Sequence, residues 1–303
     1  MERAPERCIL CNIAPENAVW NSLEIRQCPS CGLAWRAEFD LPDDYYAHAG
    51  EAVHGYEKEV ARERNARDRL RMLRRYLPRQ GVCDIGCGDG AFVRELRDAG
   101  YRAVWGIEPG TQNCEKAKAE GLDVVQGDIE RIHSLRDTRR MNAATLFHVI
   151  EHLPDPIGAL THVLSALPEN GTVVLETPDS EAAIQKTTKH VHPLVCSEHL
   201  FYWNERSLCI LFKRLGCEVR LIAHRSFNWQ RVPISLSLAR LGISGTRPER
   251  SPHAVSEGVP SSSSSEASQN ASRTVKALVR RVLARLVHLL GRDDYLLVVA
   301  KRT

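Results

Sequence analysis

A chain of 303 residues with 43% hydrophobic content holds enough apolar material for one full-sized core and a small accessory module, which excludes a purely disordered protein. The formal net charge of +3 is too small to point by itself to nucleic acid, and no apolar run approaches the roughly 20 residues that a membrane span needs. The opening MERAPERCILC lacks the charged-then-apolar layout of a secretory leader, so the cytoplasm is the expected location and the ten cysteines are expected as thiols or metal ligands.

Four of those cysteines come first, as Cys8 and Cys11 in CILC and Cys28 and Cys31 in CPSC, with Gly32 directly after. Two short knuckles that each aim a pair of thiolates at one tetrahedral Zn²⁺ have this layout, and a segment so short has no core of its own to hold it otherwise. A zinc ribbon is therefore expected over residues 1–40. The other six cysteines have no ligand spacing and read as small apolar residues.

Residues 57–77 predict a helix with Ala66, Leu70, Leu73 and Leu77 on one face, closed by Pro78 and Gly81, so that 41–78 forms a helical connector or lid. Tyr45 and Tyr46 in this stretch are candidates to cover an acceptor. From 79 onward, short apolar runs alternate with amphipathic segments: VCDIG, AVWGIE, LDVVQGD, NAATLFHVI, TVVLETP, CEVRLI and, at the end, YLLVVAKR. Such alternation means a parallel sheet wrapped by helices. Gly100 and Gly121 end two helices, and Asp155-Pro156 opens a third whose apolar face is Ile157, Leu160, Leu164 and Leu167. Residues 244–272 are Ser- and Pro-rich and read as a disordered insertion, and a basic amphipathic helix follows at 274–290. That helix either packs on the sheet or gives a peripheral contact with the inner membrane face.

The first strand runs into DIGCGDG, where glycines let a backbone approach a ligand closely and the following helix offers its N-terminus. Gly86, Gly88 and Ala91 also satisfy the looser dinucleotide fingerprint. Asp84, Glu108 and Asp128 make the pocket acidic, which suits a cationic sulfonium better than a pyrophosphate and favours S-adenosylmethionine over NAD.

DIGCGDG, GIEPG, GDIE, FHVIEHLPDP and VVLETPD, in this order, resemble the successive motifs of the class I S-adenosylmethionine-dependent methyltransferases. With CxxC…CxxC and EHLFYWNERSL the chain is similar to a zinc-containing subgroup that includes sugar C-methyltransferases of deoxysugar and glycan pathways, although their further C-terminal domain has no counterpart here. The resemblance implies a Rossmann-like, doubly wound α/β sheet of seven strands with the last antiparallel. It implies cofactor contacts at Asp84, Gly86, Cys87, Gly88, Gly90, Glu108, Pro109, Asp128, Ile129 and His148, and a role in proton removal for Glu198 and His199.

In such a fold His148, Glu151 and His152 of FHVIEHLPDP lie at the mouth of the cleft. Three readings stand beside one another. His148, Glu151, His152 and His199 hold a second divalent metal; His199, helped by Glu198, is a general base; or Glu151-His152 only shapes the cofactor pocket. The expected acceptor is a small molecule, sugar or glycan. Nucleic acid ranks second, because residues 1–40 carry four arginines against five glutamates and one aspartate. A non-catalytic interaction module is the third reading.

Overall fold

The computed structural model describes residues 3–40, 59–135, 138–182, 195–225 and 294–303. Tyr45 and Tyr46, the Ser- and Pro-rich segment at 244–272 and the basic segment at 274–290 lie outside the described residues. Among the described residues no helix is long and apolar enough to cross a membrane.

The main sheet has seven strands: β4 (Gln80–Ile85), β5 (Arg102–Glu108), β6 (Val124–Gln126), β7 (Ala143–Phe147), β8 (Thr172–Pro178), β10 (Cys217–Arg225) and β11 (Tyr295–Arg302). Their order is β10-β11-β8-β7-β4-β5-β6. The five strands from β8 to β6 are parallel, and β11 runs antiparallel to both its neighbours. The chain moves outward from β4 to β5 and β6, then returns to the other side of β4 with β7. The order reverses there, which opens a crevice at the carboxyl ends of β4 and β7.

Both faces of this sheet are covered, and this is why its strands read as continuous apolar runs instead of alternating ones. One face carries Cys83, Ile85, Ala144, Leu146, Leu175 and Val298 into a core shared with α5 (Pro156–Ala166) and α6 (Glu205–Arg214). The other carries Val82, Ala143, Val174, Leu297 and Val299 against α1 (Glu59–Leu73) and α2 (Ala91–Asp98). Ala66, Leu70 and Leu73 are the buried stripe of α1, as its periodicity predicts. α3 (Thr111–Ala119) joins β5 to β6, and the short α4 (Ile132–Leu135) precedes β7. Helix starts follow local chemistry. The Asp155 carboxylate caps α5 by accepting from the Gly158 N–H at 2.9 Å, with Pro156 in the first turn, and Asn204 and Ser207 form a reciprocal capping box on α6.

The N-terminal segment forms an antiparallel meander of β1 (Glu16–Trp20), β2 (Leu23–Gln27) and β3 (Ala34–Arg36). A fourth strand joins it from far along the chain: β9 (Phe201–Tyr202) pairs with β3, in the register Ala34↔Tyr202 and Trp35↔Phe201. Cys8, Cys28, Cys31, Leu33 and Trp35 share one apolar cluster with Trp203, Leu208 and Phe212. The cysteine segment is thus packed as part of the main core.

Candidate active site and cysteine cluster

The two cysteine knuckles are built alike. Cys8 N–H donates to the Ile13 carbonyl and Asn12 N–H to Cys8, while Cys28 N–H donates to Leu33 and Gly32 N–H to Cys28. Asn12 and Gly32 occupy the same left-handed position, at φ +55° and +75°. The four Sγ atoms of Cys8, Cys11, Cys28 and Cys31 lie within 4.8 Å of one another, and Cys8 and Cys31 are 3.6 Å apart. Tetrahedral thiolates at the usual Zn–S distance stand roughly 3.8 Å apart, so four sulfurs clustered this closely are a donor set of the type that holds zinc. The hydrogen bond between the Cys8 and Cys31 sulfurs draws the Cys8 thiol below its ordinary range.

At the carboxyl end of β4, Gly86 and Gly88 have φ of +69° and +56°, a region where L side chains are strained. A Cβ on Gly86 would meet Val149 at 2.6 Å, whereas a Cβ on Gly88 would meet nothing within 4 Å. Gly88 therefore borders open space. Gly90 packs against Leu122, and the Cys87 side chain is turned into the core with Val93 and Cys114. The acid expected to meet a ribose, Glu108, is buried and accepts from the N–H groups of Gly88 (2.8 Å) and Gly110 (3.0 Å) and from Asn113 Nδ2 (3.4 Å). A carboxylate offers about four acceptor positions, so a diol would have to displace one of these donors. Asp84 is buried below the loop and accepts from the Thr145 hydroxyl at 2.6 Å; burial pushes its carboxyl up to about 7. Pro109 is half-buried beside Glu108. Asp128 is exposed and caps the next turn through the N–H groups of Glu130 and Arg131, while Ile129 packs on the core.

His148, Glu151 and His152 do stand together at the end of β7, but they divide into two groups. His148 takes φ +58°, and its Nδ1 lies 3.3 Å from Glu151 Oε1 and its Nε2 3.2 Å from Glu176 Oε1. Burial disfavours its charge, yet the two carboxylates outweigh burial and raise it to about 9. Glu151 also accepts from the Thr177 hydroxyl at 3.0 Å. Burial would lift its carboxyl, but the bond to His148 and the adjacent imidazoles hold it at about 2. Glu176, at the end of β8, receives Arg69 Nε at 3.0 Å and Arg225 Nη1 as well as His148. Burial works against its charge, but these cations keep it well below the usual carboxylate range.

The second group is Glu151, His152 and His199, whose candidate donor atoms all lie within 4.8 Å of one another. Of the four residues expected around a second metal, the structure brings three together; both ring nitrogens of His148 face carboxylates. His152 Nδ1 is 2.8 Å from the Glu198 carbonyl oxygen. A carbonyl only accepts, so Nδ1 carries the proton and Nε2 keeps its lone pair. Burial lowers the His152 pKa, so the ring is neutral near pH 7. His199 is buried, with its ring centroid 4.8 Å from that of His152, and Glu198 next to it is half-buried.

Sequence reasoning passed over Glu176, Thr177, Arg69 and Arg225. Glu176 ends an apolar run as Glu108 does, so the same strand-end logic would have found it. Nothing local marks the two arginines, which reach it from α1 and β10.

A family model described as a methyltransferase domain matches residues 56–222. The tRNA U34 carboxymethyltransferase of Desulfotalea psychrophila is 34% identical over 101 residues, which is 32% of this chain and 32% of that protein. The ubiquinone biosynthesis O-methyltransferase of Haemophilus ducreyi is 26% identical over 105 residues, 32% of this chain and 44% of that one. The chain thus spans less than half the length of these curated relatives. A SAM-dependent methyltransferase from Archaeoglobus fulgidus shares the fold, with a TM-score of 0.50 at 20% identity over 82% of this chain and 99% of that one. The matched segment is over half of the chain and runs from α1 through the glycine loop and the β7 end into β10, so the protein belongs to the methyltransferase-domain family.

Proposed function

We propose that the protein transfers a methyl group from S-adenosylmethionine to a hydroxyl or carbon of a small-molecule, sugar or glycan-type acceptor. The observation that carries this reading is the open space at the switch point beside Gly88, whose N–H donates to the buried Glu108 carboxylate, with Asp84 buried below the loop. An acidic crevice favours a ligand with sulfonium and ammonium charges over one with a pyrophosphate. Cys8, Cys11, Cys28 and Cys31 would hold a structural zinc ion.

The cofactor supplies an electrophilic methyl group for an in-line displacement. The chain must remove a proton from the acceptor and keep that proton away from water. His199 takes it, with Glu198 beside it. His152 is held in one tautomer by the Glu198 carbonyl, so its Nε2 lone pair is available next to His199. With the cofactor bound, its methyl group would pass from sulfur to the acceptor, the thioether would leave, and the acceptor's proton would end on His199.

Calorimetry with S-adenosylmethionine, its demethylated product and NAD tests the first step; heat with NAD alone would refute it. His199→Ala should abolish transfer to a panel of hydroxyl-bearing acceptors while leaving cofactor affinity intact, and retained transfer removes the base assignment. An RNA acceptor is the second reading, favoured by the tRNA-modifying relative and opposed by the net negative ribbon. Cofactor binding with no product from any acceptor would favour the interaction module.

A further inference from the structure

The segment that carries Glu198 and His199 is held mainly by elements remote from it in sequence. Arg36, the last residue of β3, is buried and grips this segment at both ends. Its backbone N–H donates to the Leu200 carbonyl at 3.0 Å, and its guanidinium donates to the Ser197 carbonyl and to Asp40 Oδ1, each at 2.7 Å. Between these two anchors, His152 Nδ1 donates to the Glu198 carbonyl at 2.8 Å, and Leu200 N–H donates to the Glu151 carbonyl at 2.8 Å. The main chain of 197–200 is therefore fixed from the ribbon side by one residue and from the β7 side by the Glu151-His152 turn.

We infer that Arg36 is a positioning residue for the acceptor side of the site: through its guanidinium on the Ser197 carbonyl it sets where His199 stands relative to His152. The cysteine ribbon is then the platform of the proton-accepting loop, not an accessory module. A guanidinium suits this position because its planar fork bonds a carboxylate and a carbonyl at once, which an ammonium cannot do with fixed geometry. The glycine loop shares no hydrogen bond with Arg36, so cofactor binding is separable from this function.

The inference rests on the reading of His199 as the base, and the test separates the two. Full-length protein loaded with zinc and labelled with ¹³C at its histidines is compared with Arg36→Met and Arg36→Lys, with resonances assigned through His152→Gln and His199→Gln. In Arg36→Met the His152 and His199 signals should move and broaden while zinc content stays intact. Affinity for S-adenosylhomocysteine should change by less than about twofold, as for sites with no shared partner. Arg36→Lys should restore the signals in part. Unmoved signals in Arg36→Met overturn the proposal, as does their displacement together with loss of zinc or of S-adenosylhomocysteine binding, since Arg36 would then only support the ribbon fold. Should Arg36→Met not fold, Arg36→Lys decides alone: displacement of the His152 and His199 signals from their wild-type positions with zinc retained supports the proposal, and no displacement overturns it. Transfer that survives His199→Ala removes the base role but leaves the histidine signals to judge Arg36.

Discussion

Replacing Glu176 by glutamine removes the one carboxylate that Arg69, Arg225 and His148 share, while keeping the size of the side chain. Glu176 is 2% exposed and its two arginines are 14% exposed, so the cations left behind are poorly hydrated. Breaking a buried pair by removing one partner costs about 3–5 kcal/mol, and the amide oxygen still accepts one donor, which places the expected loss near the lower limit, about 3 kcal/mol. For a chain of 303 residues that loss lowers Tm by about 5 °C. Urea and thermal unfolding at pH 7 measure it, and NMR titration of His148 gives a second readout. Without the carboxylate the imidazolium loses a partner, so its pKa should fall from about 9 toward the ordinary value. Adding Arg225→Gln should restore part of the stability, because it removes the stranded charge. A loss under about 1 kcal/mol together with an unmoved His148 titration would refute the account, since an intact network cannot lose its shared anion without cost.

His148 also predicts a pH dependence. Its pKa is raised by folding, so its contribution is fully present below about 6.5 and is lost as pH rises through about 9. A shift of this size corresponds to about 3 kcal/mol, which solvent screening reduces to about 1–2 kcal/mol because a third of the side chain is exposed. Tm should fall between pH 6 and 9.5, and His148→Gln should flatten that slope. Gly88→Ala should cost only the about 1–2 kcal/mol of a left-handed alanine but sharply weaken S-adenosylhomocysteine binding, whereas Gly86→Ala should add about 1–3 kcal/mol from the clash with Val149. Urea unfolding paired with calorimetry separates the two, and wild-type affinity in Gly88→Ala would contradict the cradle. Cys28→Ser should abolish zinc retention and lower the Tm of the whole chain, because Cys28 packs in the main core; elemental analysis that finds no zinc in the parent protein would refute the ligand assignment.

The central strands β4, β7, β8 and β11 were legible because they are buried on both faces, which leaves a continuous apolar signal in the local sequence. The helix starts at Asp155 and the stripe of Ala66, Leu70 and Leu73 were legible for the same reason: each is decided within one or two turns of chain. β9 was not legible. It has two residues, and it exists as a strand only because β3 offers an edge to Phe201 and Tyr202. The alliance of Glu176 with Arg69 and Arg225 was hidden too, since each arginine alone reads as an ordinary surface charge.

By itself the sequence determined the layered α/β class, the cysteine spacing and the glycine loop, all of which are short-range patterns set by periodicity, ligand geometry and steric freedom. Only the tertiary structure decided that His148 serves two carboxylates instead of standing with His152 and His199, and that the ribbon grips the loop of Glu198 and His199 through Arg36. Those pairings join residues far apart along the chain, and their energies depend on burial and distance, quantities that exist only once the chain has closed on itself.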